Sequence, residues 1–207
     1  LRPEGAIALA GFLPEGEANF VSSAGVRPPG KFDVTSLLMC AMLSTLLVTV
    51  MISSAGSAPT VGSKAPDFTA PSTAGSLRLS NYRGKWVVLY FYPKSFTPGC
   101  TAESCSLRDG MEALRTLDAV VIGVSTDDLD TQRKFKEKYQ LPFDLVADSD
   151  KRVVEAYDVK GMLGFAKRRT FIIDPEGIIR YIVEDVDTGK HAEQVRDILQ
   201  KLQGKKG

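Results

Sequence analysis

The chain has 207 residues, of which 43% are hydrophobic and 25% are charged, so it is long enough to bury the core of at least one domain. Its 26 basic and 25 acidic residues leave a formal net charge of +1, which gives no reason to expect binding to a nucleic acid or to an anionic membrane surface. Three cysteines and one histidine argue against a disulfide scaffold, a zinc site and a Cys-His hydrolase, and they favour redox chemistry at the thiols.

The first 58 residues differ in composition from the rest of the chain. Residues 1–36 are rich in Gly, Pro, Ala and Ser without a sustained period, which predicts a disordered leader. Residues 37–58 are predicted to be a hydrophobic signal or membrane-anchor segment. The segment contains the uncharged apolar run 37–52, whose length of about sixteen residues suits a signal-peptide core better than a membrane-spanning helix.

Three interpretations of this segment remain open. It is a cleaved export signal, an uncleaved membrane anchor through residues 37–52, or an organellar targeting sequence. The first two, which are favoured, place the protein in the periplasm, outside the cell or at a membrane, and the third places it in an organelle such as a plastid. Met39 and Met42 are candidates for the start of translation, because the leader before the apolar run is long for a signal. Cys40 lies within the run and is not expected to be catalytic.

A folded domain is predicted over residues 59–207. Its first elements are a short amphipathic strand of a hairpin at residues 77–80 and a turn at residues 81–85. The turn leads into the apolar run 87–92, which is rich in β-branched and aromatic residues. Such a run predicts a strand buried on both faces, as in a mostly parallel sheet.

A loop and a helix follow this strand. Pro93, Pro98 and Gly99 predict the loop, and apolar residues spaced three and four apart predict a helix over residues 101–117. Cys100 then lies at the N-terminus of the helix, where unpaired N–H groups and the helix dipole favour an anion, so its thiol is expected to ionise more readily than that of a free cysteine. The alternative is that Cys100 is a small buried hydrophobic residue.

The residues around Cys100 resemble a known active-site signature. The spacing Pro93-x-x-x-Thr97-x-x-Cys100 is similar to that of the peroxiredoxins. With Tyr90-Phe91-Tyr92 before it and Thr101, Glu103 and Cys105 after it, the string resembles the subgroup called peroxiredoxin Q or bacterioferritin comigratory protein. The resemblance covers about residues 61–202, and its later markers are at residues 123–125, 141–143 and 167–174.

Strands and helices are predicted to alternate through the rest of the domain. The predicted strands are at residues 119–125, 143–147, 171–174 and 178–183. The predicted helices are at residues 131–139, 151–157 and 190–202. The last two strands form a hairpin through the turn at 175–177, and the single histidine, His191, is expected to be exposed in the first turn of the last helix. This order predicts a three-layer α/β domain, and the resemblance implies a thioredoxin-like fold with a central mixed β-sheet flanked by helices.

Attack of a thiolate on a peroxide has three requirements: an ionised sulfur, an oriented peroxide, and donors that meet the charge building on the leaving oxygen. The position of Cys100 meets the first requirement. The Thr97 hydroxyl and the backbone N–H groups of Gly99 and Cys100 are candidates for the second, and the third calls for a cation. Because adjacent residues of a strand point to opposite faces, only one of Arg168 and Arg169 can face the sulfur.

The resemblance selects Arg168, since the family's arginine lies three residues before the aromatic that corresponds to Phe171. Arg169 is then expected to be exposed. The resemblance also implies that Glu103 holds the arginine and that Pro93 shields the thiolate from water. The alternative for Glu103 is simple charge complementarity with the N-terminus of a helix.

Cys105 is the other cysteine of the predicted domain. On an intact helix its α-carbon lies about 8 Å from that of Cys100 by rise alone, whereas a disulfide needs α-carbons about 4.4–6.8 Å apart. The two cysteines can therefore bridge only if the first turns of the helix unwind. The resemblance implies that they do, with Cys105 as the resolving cysteine. The alternative is that Cys105 is a core cysteine and that an external thiol takes its place.

The resemblance implies a thiol-dependent peroxidase that reduces hydrogen peroxide and organic hydroperoxides. Such an enzyme needs no metal or organic cofactor, forms an intramolecular disulfide and is recycled by thioredoxin or a similar dithiol reductant. A monomer is expected. Two other functions remain open: a thiol-disulfide oxidoreductase, against which the lack of a Cys-x-x-Cys motif argues, and a redox sensor that uses the same disulfide as a switch.

Overall fold

The computed structural model describes residues 58–204 of the chain. The predicted leader at residues 1–36, residues 37–57 of the predicted signal or anchor segment, and Cys40 lie outside the described residues. Across residues 58–204, no helix combines the length and the apolar composition that crossing a bilayer requires.

One mixed sheet of seven strands organises the described residues, in the order β2-β1-β5-β4-β3-β6-β7. The strands are β1 (Thr69–Ser72), β2 (Gly75–Arg78), β3 (Trp86–Phe91), β4 (Ala119–Ser125), β5 (Asp144–Ala147), β6 (Arg169–Ile173) and β7 (Ile179–Val183). The central strands β3, β4 and β5 run parallel, and β6 lies antiparallel on the other side of β3. All six residues of β3 are buried, which confirms the prediction that this strand is covered on both faces.

Helices flank the sheet. The sheet and the helices together confirm the predicted α/β architecture. They are α1 (Pro98–Asp109), α2 (Met111–Thr116), α3 (Leu129–Tyr139), α4 (Arg152–Ala156) and α5 (His191–Gly204). β6 and β7 form the predicted antiparallel hairpin, and α5 follows it.

The side chains of β3 alternate between two apolar cores, one on each face of the sheet. Leu89 and Phe91 pack into the core that also contains residues of α4. Val88 and Tyr90 pack into the core that contains apolar residues of α1, α2 and α5. Cys100 belongs to this second core, so the thiol lies on one defined face of the sheet, beyond the end of its central strand.

The helix predicted at residues 101–117 is two helices. α1 begins earlier, at Pro98, whose fixed φ and missing N–H suit the first position of a helix. It ends at Asp109, and Gly110 caps it before α2 begins at Met111. A Cβ at residue 110 would lie 2.4 Å from the Cβ of Ala192, so glycine allows this junction to pack directly against the start of α5. Beside this contact, the backbone N–H of Ala192 donates to the hydroxyl of Ser106 at 3.2 Å.

The opening hairpin is shorter at its C-terminal end than the predicted strand at residues 77–80. β2 pairs with β1 over Gly75–Arg78, and residues 79–82 form a 3₁₀ turn. Leu79 is buried, so the turn keeps this apolar side chain in the core beyond the end of β2.

Candidate active site

The thiol of Cys100 lies in the first turn of α1. Thr97 is the N-cap and has an extended backbone, and Pro98 is the first helical residue. The first N–H groups of a helix have no partner within the helix, and they form the positive end of its dipole. Cys100 is only 1% exposed, so a negative charge on its sulfur depends on these groups rather than on bulk water.

The guanidinium of Arg168 contacts this sulfur. Its Nη2 lies 3.3 Å from Sγ of Cys100, and its Nη1 donates to Oε2 of Glu103. A Cβ at Gly99 would lie 3.3 Å from the same Nη2, so the glycine leaves room for the cation at the first turn. The structure thus brings Cys100, Arg168 and Glu103 together, although Arg168 is distant from the other two in sequence.

Arg169 faces away from the sulfur, and the prediction that it is exposed is wrong in part. Its Nη2 lies 2.9 Å from Oε1 of Glu184, and its side chain is 27% exposed. Residue 184 follows β7, which pairs with β6, so the arginine lies along the neighbouring strand instead of extending into solvent.

The carboxyl group of Glu103 is fully buried. One of its oxygens accepts from Arg168, while Oε1 has no hydrogen-bond partner among the described residues. Burial raises the pKa of Glu103 to about 7, and the charge and hydrogen bond of Arg168 act in the opposite direction. Glu103 therefore exchanges a proton near neutral pH, beside the cation that contacts the thiol.

Thr97 and Pro93 lie on the loop that leads into α1. The hydroxyl of Thr97 donates to the carbonyl oxygen of Lys94 at 2.9 Å and makes no capping bond to the helix. Because a hydroxyl also has two acceptor lone pairs, Thr97 retains the capacity to accept a hydrogen bond. Pro93 is half-buried and lies two residues beyond the end of β3.

Cys105 lies on the same helix as Cys100, and both thiols are free. The side chain of Cys105 is half-buried. Since α1 is continuous from Pro98 to Asp109, the rise of the helix alone separates the two α-carbons by about 8 Å. A disulfide between them requires local unwinding of α1.

The prediction that His191 is exposed is wrong, because its side chain is fully buried. Its Nε2 lies 3.0 Å from Oγ1 of Thr170, and its Nδ1 lies 3.3 Å from Oε1 of Gln194. Burial lowers the pKa of His191 to about 4, and the charge of Arg168 acts in the same direction. His191 thus contacts the start of β6, two residues after Arg168. The spacing of apolar residues in the last helix did not reveal this contact.

Within residues 58–204, no three His, Cys, Asp or Glu side chains are grouped so that they could hold a metal ion. The reactive groups at the site are one thiol, one guanidinium and one carboxyl. Such a set can ionise a sulfur, stabilise an oxyanion and move a proton.

Comparisons with known proteins extend over this domain. The AhpC/TSA family matches residues 61–182. Peroxiredoxin Bcp of Bacillus subtilis is 44% identical over 150 residues, which cover 69% of this chain and 94% of that protein. The chloroplastic peroxiredoxin Q of Oryza sativa subsp. japonica is 39% identical over 145 residues, which cover 68% of this chain and 67% of that protein.

Solved structures show the same fold. Peroxidoxin BcpB from Mycobacterium tuberculosis matches with a TM-score of 0.65 and 32% identity, over 70% of this chain and 98% of that chain. Peroxiredoxin Q from Xanthomonas campestris matches with a TM-score of 0.61 and 31% identity, over 65% of this chain and 90% of that chain. The predicted thioredoxin-like fold is therefore confirmed for the described residues.

Proposed function

Because this chain belongs to the AhpC/TSA family, and is a peroxiredoxin and hence a thiol-dependent peroxidase, we propose that Cys100 is the sulfur that attacks the peroxide. The observation that carries the proposal is the contact between this sulfur and the guanidinium of Arg168, 3.3 Å away, at the N-terminus of a helix. Both features favour the anionic form of a sulfur, which is the nucleophile.

Each group around Cys100 has a role in this first step. The thiolate attacks the nearer peroxide oxygen, the O–O bond breaks, and the electron pair leaves with the second oxygen as hydroxide or alkoxide. Arg168 stabilises the charge on that oxygen, and Glu103 holds the arginine. The Thr97 hydroxyl and the N–H groups of the first turn orient the peroxide, and Pro93 limits access of water. The leaving oxygen takes a proton and departs as water or an alcohol, and Cys100 remains as a sulfenic acid.

Cys105 is proposed to resolve the sulfenic acid. Its sulfur attacks the sulfur of Cys100, a disulfide forms, and the hydroxyl group leaves as water after taking up the thiol proton. Cys105 is the only other cysteine among residues 58–204, and its position on α1 means that the helix must unwind for the bond to form.

Thioredoxin or a similar dithiol is proposed to restore the enzyme. One thiolate of the reductant attacks the disulfide, a mixed disulfide forms, and the second thiol of the reductant displaces the enzyme's thiol. The two electrons come from the dithiol, so the cycle requires no metal or organic cofactor. Hydrogen peroxide and organic hydroperoxides are the proposed substrates. The bacterioferritin comigratory protein of Xanthomonas campestris, which is 30% identical to this chain, has alkyl peroxide reduction activity.

Replacement of Cys100 by serine should abolish peroxide consumption with thioredoxin as reductant. Cys40→Ser is the matched control, since it removes the remaining cysteine of the chain and should leave the rate unchanged. Normal turnover in Cys100→Ser would refute the role of this thiol.

We also propose that residues 37–52 attach the protein to a membrane or direct its export. A second proposal is that the protein is a monomer. The uncharged apolar run supports the first proposal. Mass spectrometry of the purified native protein would give the N-terminal residue, and light scattering would give the mass in solution. A native N-terminus well before residue 37 in a protein that is not bound to membrane would contradict the first proposal, and a dimer mass would contradict the second.

A further inference from the structure

The loop before α1 has an unfavourable backbone conformation next to the active site. Phe96 has a φ of +65°, in the left-handed region that a bulky side chain rarely adopts. Phe96 directly precedes Thr97, the N-cap of α1. Rotation of the backbone at Phe96 therefore changes where Thr97 and Cys100 lie relative to Arg168, which directly precedes β6.

A buried glutamine holds the start of this loop. Gln132 of α3 is fully buried, and its Oε1 accepts from the hydroxyl of Tyr92 at 2.5 Å. Its Nε2 donates to the hydroxyl of Ser125 at 2.7 Å and to the carbonyl of Val146 at 3.1 Å. Both N–H groups and the carbonyl of the amide are thus used, and a side chain that lacks donors cannot replace it.

A carboxylate holds the middle of the loop. Oδ2 of Asp127 accepts from the backbone N–H of Ser95 at 2.7 Å and from the hydroxyl of Ser125 at 2.8 Å. Ser125 therefore links Asp127 to Gln132, and the three side chains form one chain of hydrogen bonds from α3 to the loop.

Aromatic contacts hold the end of the loop. The ring of Phe96 meets that of Phe135 edge to face at 5.2 Å, and it also contacts Tyr139. Phe135 is fully buried and lies one turn after Gln132 on α3. The same face of α3 therefore holds both the start of the loop, through Tyr92, and its strained residue.

We infer that Gln132, Ser125 and Asp127 are positioning residues, which keep the loop in the conformation that aligns Thr97 and Cys100 with Arg168 for attack on a peroxide. A strained backbone persists only where its surroundings determine it, and here the surroundings are this hydrogen-bond chain together with the packing of the Phe96 ring on Phe135 and Tyr139. The inference rests on the proposed role of Cys100. The reaction of the wild-type protein tests that role separately.

The test compares two reactions of the same sulfur. Oxidation by hydrogen peroxide needs aligned donors, whereas alkylation by iodoacetamide needs only an accessible thiolate. In Gln132→Met, the second-order rate constant for oxidation of Cys100 should fall by about 10- to 100-fold, the range that a displacement of about 1 Å produces. The rate of alkylation, measured across pH, should keep its midpoint and change by less than about threefold. Glu137→Met is the matched control, because residue 137 lies on the exposed side of the same helix.

A double-mutant cycle separates a connected network from independent contacts. Ser125→Ala removes the hydroxyl that joins the other two side chains, and it is a small change that provides the test if Gln132→Met does not fold. The rate constant for peroxide in the double variant Gln132→Met/Ser125→Ala should be close to that of Gln132→Met alone, because both changes break the same chain.

Two results would overturn the inference. One is an unchanged rate constant for peroxide in both single variants. The other is a parallel fall of oxidation and alkylation, which would show that the changes act on the accessibility or ionisation of the thiol and not on alignment. A wild-type Cys100 that does not react with peroxide at all would instead refute the proposed role of that residue.

Discussion

Replacement of His191 by glutamine should change how the stability of the protein depends on pH. The imidazole is fully buried between Thr170 and Gln194. Glutamine is uncharged at every pH and can place a polar atom near that of the imidazole Nε2 beside Thr170, so the substitution removes the titration while it retains a hydrogen-bonding group.

The magnitude follows from the lowered pKa. Burial, assisted by the charge of Arg168, lowers the pKa of His191 from 6.5 to about 4 in the folded protein. The unfolded chain therefore binds a proton between about pH 6.5 and pH 4 that the folded protein does not bind, and the histidine costs stability as the pH falls through this range. Each pKa unit corresponds to about 1.4 kcal/mol. Relative to pH 7.5, the free energy of unfolding is therefore lower by about 2 kcal/mol at pH 5 and by about 3 kcal/mol at pH 4.

The assay is unfolding in urea, followed by circular dichroism at several pH values from 4 to 7.5. The difference in free energy of unfolding between wild type and His191→Gln isolates this one group, because all other titrating groups are common to both proteins. As the pH falls from 7.5 to 5, the free energy of unfolding of the wild type should decrease by about 2 kcal/mol relative to that of His191→Gln. A difference that stays constant over this range would refute the account of a buried, neutral histidine.

The remaining predictions concern the helix that carries the thiol. Comparison of wild type with Glu103→Gln should give the opposite pH dependence. Because the pKa of Glu103 is raised from 4.5 to about 7, the contribution of Glu103 to the free energy of unfolding is present at low pH and falls by about 2 kcal/mol between pH 5 and pH 7.5. If the carboxyl is solvated, the same urea titration should show no such fall. Cys105→Ser should allow one oxidation of Cys100 by peroxide but no turnover with thioredoxin. Trapping of the sulfenic acid measures the first reaction, and consumption of NADPH in a coupled assay measures the second. Turnover at the wild-type rate would refute the resolving role of Cys105. Gly110→Ala should lower the free energy of unfolding by about 1–3 kcal/mol, because the new Cβ would lie 2.4 Å from that of Ala192. Adding Ala192→Gly should restore most of this loss, and a double variant as unstable as the single one would show that the clash is not its cause.

The sequence predicted best those features that depend on local patterns. An unbroken apolar run specified β3, and the same kind of run specified β4, whose bounds the structure reproduces. The predicted helix begins within three residues of the observed start, although Pro98 and Gly99, which were predicted to lie in the loop, are the first two residues of α1. These signals are strong because burial on both faces and the backbone limits of proline and glycine act within a few residues.

Features that depend on contacts between elements were missed. The break at Gly110 was hidden because Leu107, Met111 and Leu114 keep a helical spacing across it, while the reason for the glycine is a close approach to Ala192. The burial of His191 depends on Thr170, which lies on a strand 21 residues earlier.

The same limit applies to the loop before the thiol. Gln132 lies within a helix that is rich in charged residues, and it shares the buried face of that helix with Phe135. Since the partners of its side chain are on β4, on β5 and beyond the end of β3, a pattern within one helix could not identify them.

In the proposed cycle, the hydrogen bond from the backbone N–H of Ala192 to the hydroxyl of Ser106 would couple the oxidation state of the thiols to α5. Residue 106 directly follows Cys105, so unwinding that brings this cysteine to Cys100 also withdraws the acceptor from the first turn of α5. The amide of Ala192 should then exchange its hydrogen with solvent faster in the disulfide form than in the dithiol form. A single backbone proton on a neighbouring helix would report which form of the enzyme is present.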